Sequence, residues 1–114
     1  MPQAAMDAGA FAEMKELMGD TFKDIIKMCL QRLPQQLDDI RTAIEDRDVD
    51  NLFNISHKMK SSCGSIGAFG LAEKAETIEI IGRKGSTEVS DQIFNELRDA
   101  TNQVISILNA ELDD

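Results

Sequence analysis

The sequence predicts an all-α protein, an antiparallel four-helix bundle with a short extra helix at its N-terminus. Three observations carry this. Apolar residues recur at spacings of three and four along most of the chain, the period of a helix with one buried face. Five phenylalanines, two prolines and no tryptophan or tyrosine suit helices better than a sandwich or barrel. The connections between periodic segments are short, so consecutive helices run antiparallel. A chain of 114 residues makes one domain, residues 1–114, with a modest core.

Residues 1–6 are expected to fray. A first helix over about Asp7 to Met18 gathers Phe11, Met14 and Met18 on one face, and Gly19 stops it. Asp20 or Thr21 caps the second. There Phe22, Ile25, Ile26, Cys29, Leu33, Leu37, Ile40 and Ile44 hold register across Pro34. One kinked helix over 21–46, roughly 39 Å long, is therefore favoured over two helices abutting at the proline. Asp46-Arg47-Asp48 turns the chain, with Asp48 as N-cap of a third helix over about 49–66. Its apolar stripe is Leu52, Ile55, Met59, Cys63 and Ile66, and Gly67 ends it. The fourth helix, about 70–84, buries Leu71, Ala75, Ile78 and Ile81 and carries Glu73, Lys74, Glu76 and Glu79 on its outer face. Gly82 weakens its end and Gly85 stops it. Residues 86–90 turn into a last helix over about 88–112, with Ile93, Leu97, Ala100, Val104, Ile107 and Leu108 as its main stripe.

Composition excludes several classes of function. Twelve basic against 21 acidic residues give a net charge of −9, which disfavours nucleic acid and anionic membrane surfaces. No apolar run approaches the ~20 residues of a membrane span, and the N-terminus lacks a signal pattern. A cytoplasmic protein is expected. Cys29 and Cys63 fall at core positions and read as small buried hydrophobes in a reducing compartment; a disulfide or paired metal ligands is the lesser reading. No zinc-type spacing occurs, and Gly64-x-x-Gly67-x-x-Gly70 lacks the Gly-Lys-Ser/Thr signature and the preceding strand of a phosphate loop. The chain has no nucleotide site of its own by this reading.

The candidate site centres on the single histidine, His57. At about 100° per residue it falls roughly 170° from the centre of the third helix's apolar stripe, facing solvent. Phe53, Lys60, Ser61 and Gly64 surround it at helical spacing. Ser61 and Gly64 leave the imidazole open to another protein, and Lys60 places positive charge beside anything attached to the ring. A neutral imidazole is a nucleophile near pH 7, and phosphoryl transfer asks mainly for positioning and charge neutralisation. A phosphohistidine site is therefore a coherent reading. From helical geometry alone, an ordinary surface histidine is the alternative.

The pattern His57-x-x-Lys60-Ser61-Ser62-x-x-x-x-Gly67-Ala68, with Leu71 after it and Thr77-Ile78-Glu79 one helix later, resembles the histidine-containing phosphotransfer (HPt) family. The resemblance runs from about Leu17 to the C-terminus. One departure is that the family usually has glycine where this chain has Ser61, also a small residue. The resemblance implies a phosphorelay intermediate of two-component signalling, without enzymatic activity of its own. His57 would take a phosphoryl group through Nε2 from a receiver-domain aspartate and pass it to another receiver. Lys60 would stabilise phosphoryl charge; its alternative is a solvated surface lysine. Lys58 is a docking charge or plays no part. Phe53 is an apolar anchor for the partner or an edge-of-core residue, and Ser61 and Gly64 serve by being small. Implied partners are response-regulator receiver domains and a hybrid sensor histidine kinase. No cofactor is implied for this chain, Mg2+ being expected on the receiver. A monomeric, stand-alone protein is expected, since the chain opens on Met1 and closes just past the last helix.

Two rivals come from other classes. One is an adaptor bundle or degenerate HPt domain that binds a receiver or partner helix without transfer. The other is a carboxylate-rich metal bundle, which needs glutamates and several histidines facing inward.

Overall fold

A computed structural model describes residues 4–113. Among these residues there are five helices and no strand: α1 (Ala8–Met18), α2 (Thr21–Glu45), α3 (Val49–Ser65), α4 (Phe69–Arg83) and α5 (Asp91–Leu112). Helices α2 to α5 close a ring, each packed on the next and α5 back on α2. The bundle measures 41 × 29 × 19 Å. Its centre is filled by Ile26, Ile40, Leu52, Met59, Leu71, Ile78, Leu97, Val104 and Leu108, all fully buried.

Capping chemistry sets most of the boundaries. Asp7, Asp48 and Ser90 each accept a hydrogen bond from a backbone N–H in the first turn that follows. Asp20 precedes α2 without such a bond. Pro34 lies inside α2, which runs through as a single helix. The apolar register on both sides of the proline outweighs its lost N–H. α5 begins three residues later than the sequence pattern suggests. The N–H of Glu88 donates to Ser86 Oγ and that of Val89 to Thr87 O, so this segment satisfies itself as turns until Ser90 caps the helix. On α5, Ile107 is exposed rather than part of the buried stripe, whereas Leu108 is fully buried.

Residues 1–3 lie outside the described residues, but the fraying expected of 4–6 is not what the chain does. Ala5 and Met6 are buried. The Asp7 N–H donates to Gly67 O at 2.8 Å, and the Leu71 N–H to Ala5 O at 3.3 Å. The segment clamps the α3–α4 turn because it brings both an apolar side chain and backbone partners. Gly67 makes the clamp possible. Its φ is +83°, and a Cβ there would sit 3.0 Å from Ala10 Cβ and 3.1 Å from Phe11 N. Phe11 in turn packs on Phe22 with ring centroids 5.2 Å apart, joining α1 to α2 across the end of the bundle.

Candidate functional site

Helix α3 buries Leu52, Ser56, Met59 and Cys63 and turns His57 outward. Buried Ser56 donates to its own helix, to Leu52 O at 2.6 Å, and needs no outside partner. The His57 side chain is 56% exposed. Its ring stacks on Phe53, one turn back, with centroids 5.9 Å apart and an 18° interplanar angle. Its Nδ1 is hydrogen-bonded to Glu79 Oε1 of α4. The remaining nitrogen, Nε2, has no partner among the described residues.

Glu79 is the main correction to the sequence reading, which set it on the outer face of α4. It is fully buried. The cause is the close approach of α3 and α4. Ala75, Ile78, Glu79 and Gly82 of α4 are all buried. A Cβ on Gly82 would lie 3.1 Å from both N and Cα of Phe53. Gly82 thus seats α4 against the backbone of α3 instead of merely weakening the helix end. The carboxylate enclosed there is fully occupied. Oε1 meets His57, while Oε2 accepts from Lys60 Nζ at 3.1 Å and from Arg83 at 3.2 Å. A buried carboxylate needs such partners.

The electrostatics follow from this arrangement. Burial alone would push the Glu79 carboxyl up; the hydrogen bonds and charges of His57 and Lys60 outweigh it and hold the group below its ordinary value. Lys60 is pushed up, first by its hydrogen bond to Glu79 and further by Glu76, against the opposing effect of burial. Lys60 also lies 3.5 Å from Glu76, with its side chain 34% exposed. It stands beside the imidazole, as the sequence suggests, but as part of an ion-pair cluster and not as a solvated lysine.

The other predicted residues divide between two sides of the ring. Phe53 is half-buried and sits on the α4 side, under the imidazole and against Gly82. Lys58 and Ser61 line a shallow cleft on the α2 side together with His57, Ser62, Arg32 and Gln36. Gly64, one turn beyond, is open: a Cβ there meets nothing within 4 Å. Cys29 and Cys63 are free thiols lining one apolar pocket nearby. Burial, and then the neighbouring Cys29, push the Cys63 thiol up to about 12, which leaves it a packing group. No group of three or more metal-ligating side chains occurs among the described residues. None of their helices is long and apolar enough to cross a membrane.

Sequence reasoning did not assign Glu79, Arg83, Gly82 or Arg32 to the site. A signal for Glu79 was present. It is flanked at −4 and +3 by Ala75 and Gly82, small residues on the face that packs most closely, and Arg83 follows it at +4.

Fold and site together define a helical bundle that presents one histidine, with Nδ1 braced from within and Nε2 left open. Residues 24–107 match the Hpt domain family, and the chain belongs to that family. It is a phosphorelay intermediate of two-component signal transduction. Among solved structures it is similar to histidine-containing phosphotransfer protein B from Pseudomonas aeruginosa PAO1. That match has a TM-score of 0.86 and 19% identity, over 94% of this chain and 93% of the other. It is also similar to the HPT domain of a sensor hybrid histidine kinase from Shewanella, with a TM-score of 0.79 and 18% identity, over 96% and 95%. Comparison with curated protein sequences finds no match.

Proposed function

We propose that His57 is the phosphoryl acceptor and that it exchanges the group with aspartates of receiver domains. The observation that carries this is the bond between Nδ1 and buried Glu79. A ring whose Nδ1 proton is held by a carboxylate keeps its lone pair at Nε2, on the nitrogen that faces no other group. In acceptance, Nε2 attacks phosphorus. The aspartyl O–P bond breaks, the N–P bond forms, the receiver carboxylate is released, and the proton stays on Nδ1. Lys60 moves from Glu79 and Glu76 toward the incoming phosphoryl oxygens, which lie beyond the ring it adjoins. Mg2+, expected on the receiver, would neutralise charge on the same oxygens. Ser61 and Gly64 let the receiver come close, and Lys58 and Arg32 offer it positive charge along the cleft. Phe53 acts chiefly beneath the ring, fixing its plane.

On this reading the protein is a carrier without its own ATP chemistry. It works as a cytoplasmic monomer between a hybrid sensor kinase and a response regulator. The test is phosphoryl transfer from a labelled receiver of a hybrid kinase of the same organism to the wild type and to His57→Gln. Acid-labile, alkali-stable label on the wild type alone is the expected result. A folded wild type that forms a receiver complex but takes no label would make the protein an adaptor instead.

A further inference from the structure

Resting on the assignment of His57 as acceptor, we infer that Glu79 also sets the lifetime of the phosphohistidine, by keeping the proton on Nδ1 after Nε2 is phosphorylated.

The argument is about the leaving group. When the N–P bond breaks, Nε2 keeps the bonding pair. If Nδ1 carries a proton, the ring departs as neutral imidazole. If it does not, the ring must depart as an imidazolate anion, a far poorer leaving group. A phosphorylated ring is thus labile while Nδ1 is protonated and inert once that proton is lost. In this protein Nδ1 faces one group, the carboxylate of Glu79, which is sealed from water. A buried anion hydrogen-bonded to N–H favours the charged ring. The carboxylate stays an acceptor because Arg83 remains on its other oxygen when Lys60 turns to the phosphoryl group. Transfer to a receiver aspartate, or to water, then needs no proton to move at the ring. The N–P bond breaks, the new O–P bond forms, Nε2 regains its pair, and Nδ1 keeps its hydrogen. In hydrolysis the attacking water releases its proton to the solvent.

The charged groups around this pair act in known senses. Arg83 on α4 and Lys60 on α3 oppose extra positive charge on the ring, as do Lys58 on α3 and Arg32 on α2 more weakly from the cleft. Glu76 on α4 favours it through Lys60. Replacing Glu79 and replacing Arg83 must therefore move phosphohistidine stability in opposite directions. A merely structural disturbance at the α3–α4 seam would move both the same way.

The experiment uses the intact chain labelled at His57 with phosphoramidate, which needs no partner protein. Loss of label is followed from pH 5 to 10 for the wild type, Glu79→Gln and Arg83→Gln. The wild-type group should pass from labile to stable in one transition as pH rises. In Glu79→Gln that transition should move down by about one pH unit, with hydrolysis slowed about tenfold at pH values above both transitions. In Arg83→Gln, whose side chain is mostly exposed, it should move up, by a few tenths of a unit. Coincident profiles, or shifts of the same sign, overturn the inference. So does an unmoved Arg83→Gln profile if Glu79→Gln fails to fold. Because the label is placed chemically, these outcomes leave the relay reading standing; that reading fails separately, if a phosphorylated receiver delivers nothing to the wild type.

Discussion

Helix α3 meets its two neighbours on different terms. Toward α4 the contact is tight and charged. Gly82 lies against the Phe53 backbone, and Glu79 is enclosed with His57, Lys60 and Arg83 around it. Toward α2 the contact is apolar below and open above. A pocket of about 190 Å³ lies among residues that include Met28, Cys29, Leu33, Cys63 and Ile66, and above it the cleft at Ser61, Lys58 and Arg32 faces solvent. With His57 as the proposed carrier, the difference separates two demands. The ring must be held still, and the α4 side does that. The atom attached to it must be reached by a second protein, and the α2 side leaves the room.

The largest effects should come from adding bulk on each side. Gly82→Ala forces a Cβ to 3.1 Å from backbone atoms that cannot swing aside. Overpacking of this kind costs about 1–3 kcal/mol, more than the ~1 kcal/mol an alanine gains in helix propensity. Urea unfolding should show a net loss. Gly64→Gln meets open space and should leave stability within about 0.5 kcal/mol, while receiver-to-histidine transfer falls on the order of 100-fold because the partner is held off. Normal transfer in Gly64→Gln would mean that receivers approach from elsewhere.

The two sides were not equally legible in the sequence. On the α2 side, periodicity alone puts His57, Lys58, Ser61 and Gly64 outside and Cys63 inside, as observed, but it does not bring Arg32 to the cleft. The α4 side was half read. Lys60 fell beside the imidazole as expected, yet Glu79 was taken as solvated. Periodicity ranks positions by apolar character, so a charged residue on the packing face looks like an outer one. What buries Glu79 is the separation of two helices, set by one hydrogen atom at Gly82 and invisible from either helix alone. The same limit applies at residues 4–6. Their order depends on two bonds to the α3–α4 turn, Leu71 N–H to Ala5 O and the adjoining Asp7 N–H to Gly67 O, sixty or more positions away.

Acid should probe the α4 side next. Glu79 is held below its ordinary value, so the stability it contributes is complete above the unfolded carboxylate range, about pH 4–5. It is lost as pH falls through the depressed folded value. The gap in unfolding free energy between wild type and Glu79→Gln should therefore shrink steadily between pH 5 and 2. A constant gap would mean that the carboxylate is not held in its charged form by its partners. Lys60→Ala should weaken the same cluster less, because His57 and Arg83 still satisfy Glu79. On the proposed reading its main effect is on transfer. Transfer from a phosphorylated receiver should slow several-fold, and unchanged transfer would leave Lys60 a purely structural cation.

Ser61→Gly sharpens the comparison with the smallest change. It installs the residue the family usually carries at this position. Ser61 is exposed on the open side, and its backbone carbonyl already accepts from Ser65 Oγ at 3.0 Å. Removing its hydroxymethyl group disturbs no packing. The cost is helix propensity, about 0.5 kcal/mol or less in urea unfolding. If Ser61 acts only by being small, transfer rates should stay within about twofold, since the cleft is already wide enough. A larger slowing would mean that the Ser61 hydroxyl donates to the phosphoryl group in transit. The α2 side would then take part in the chemistry, beyond leaving room for it.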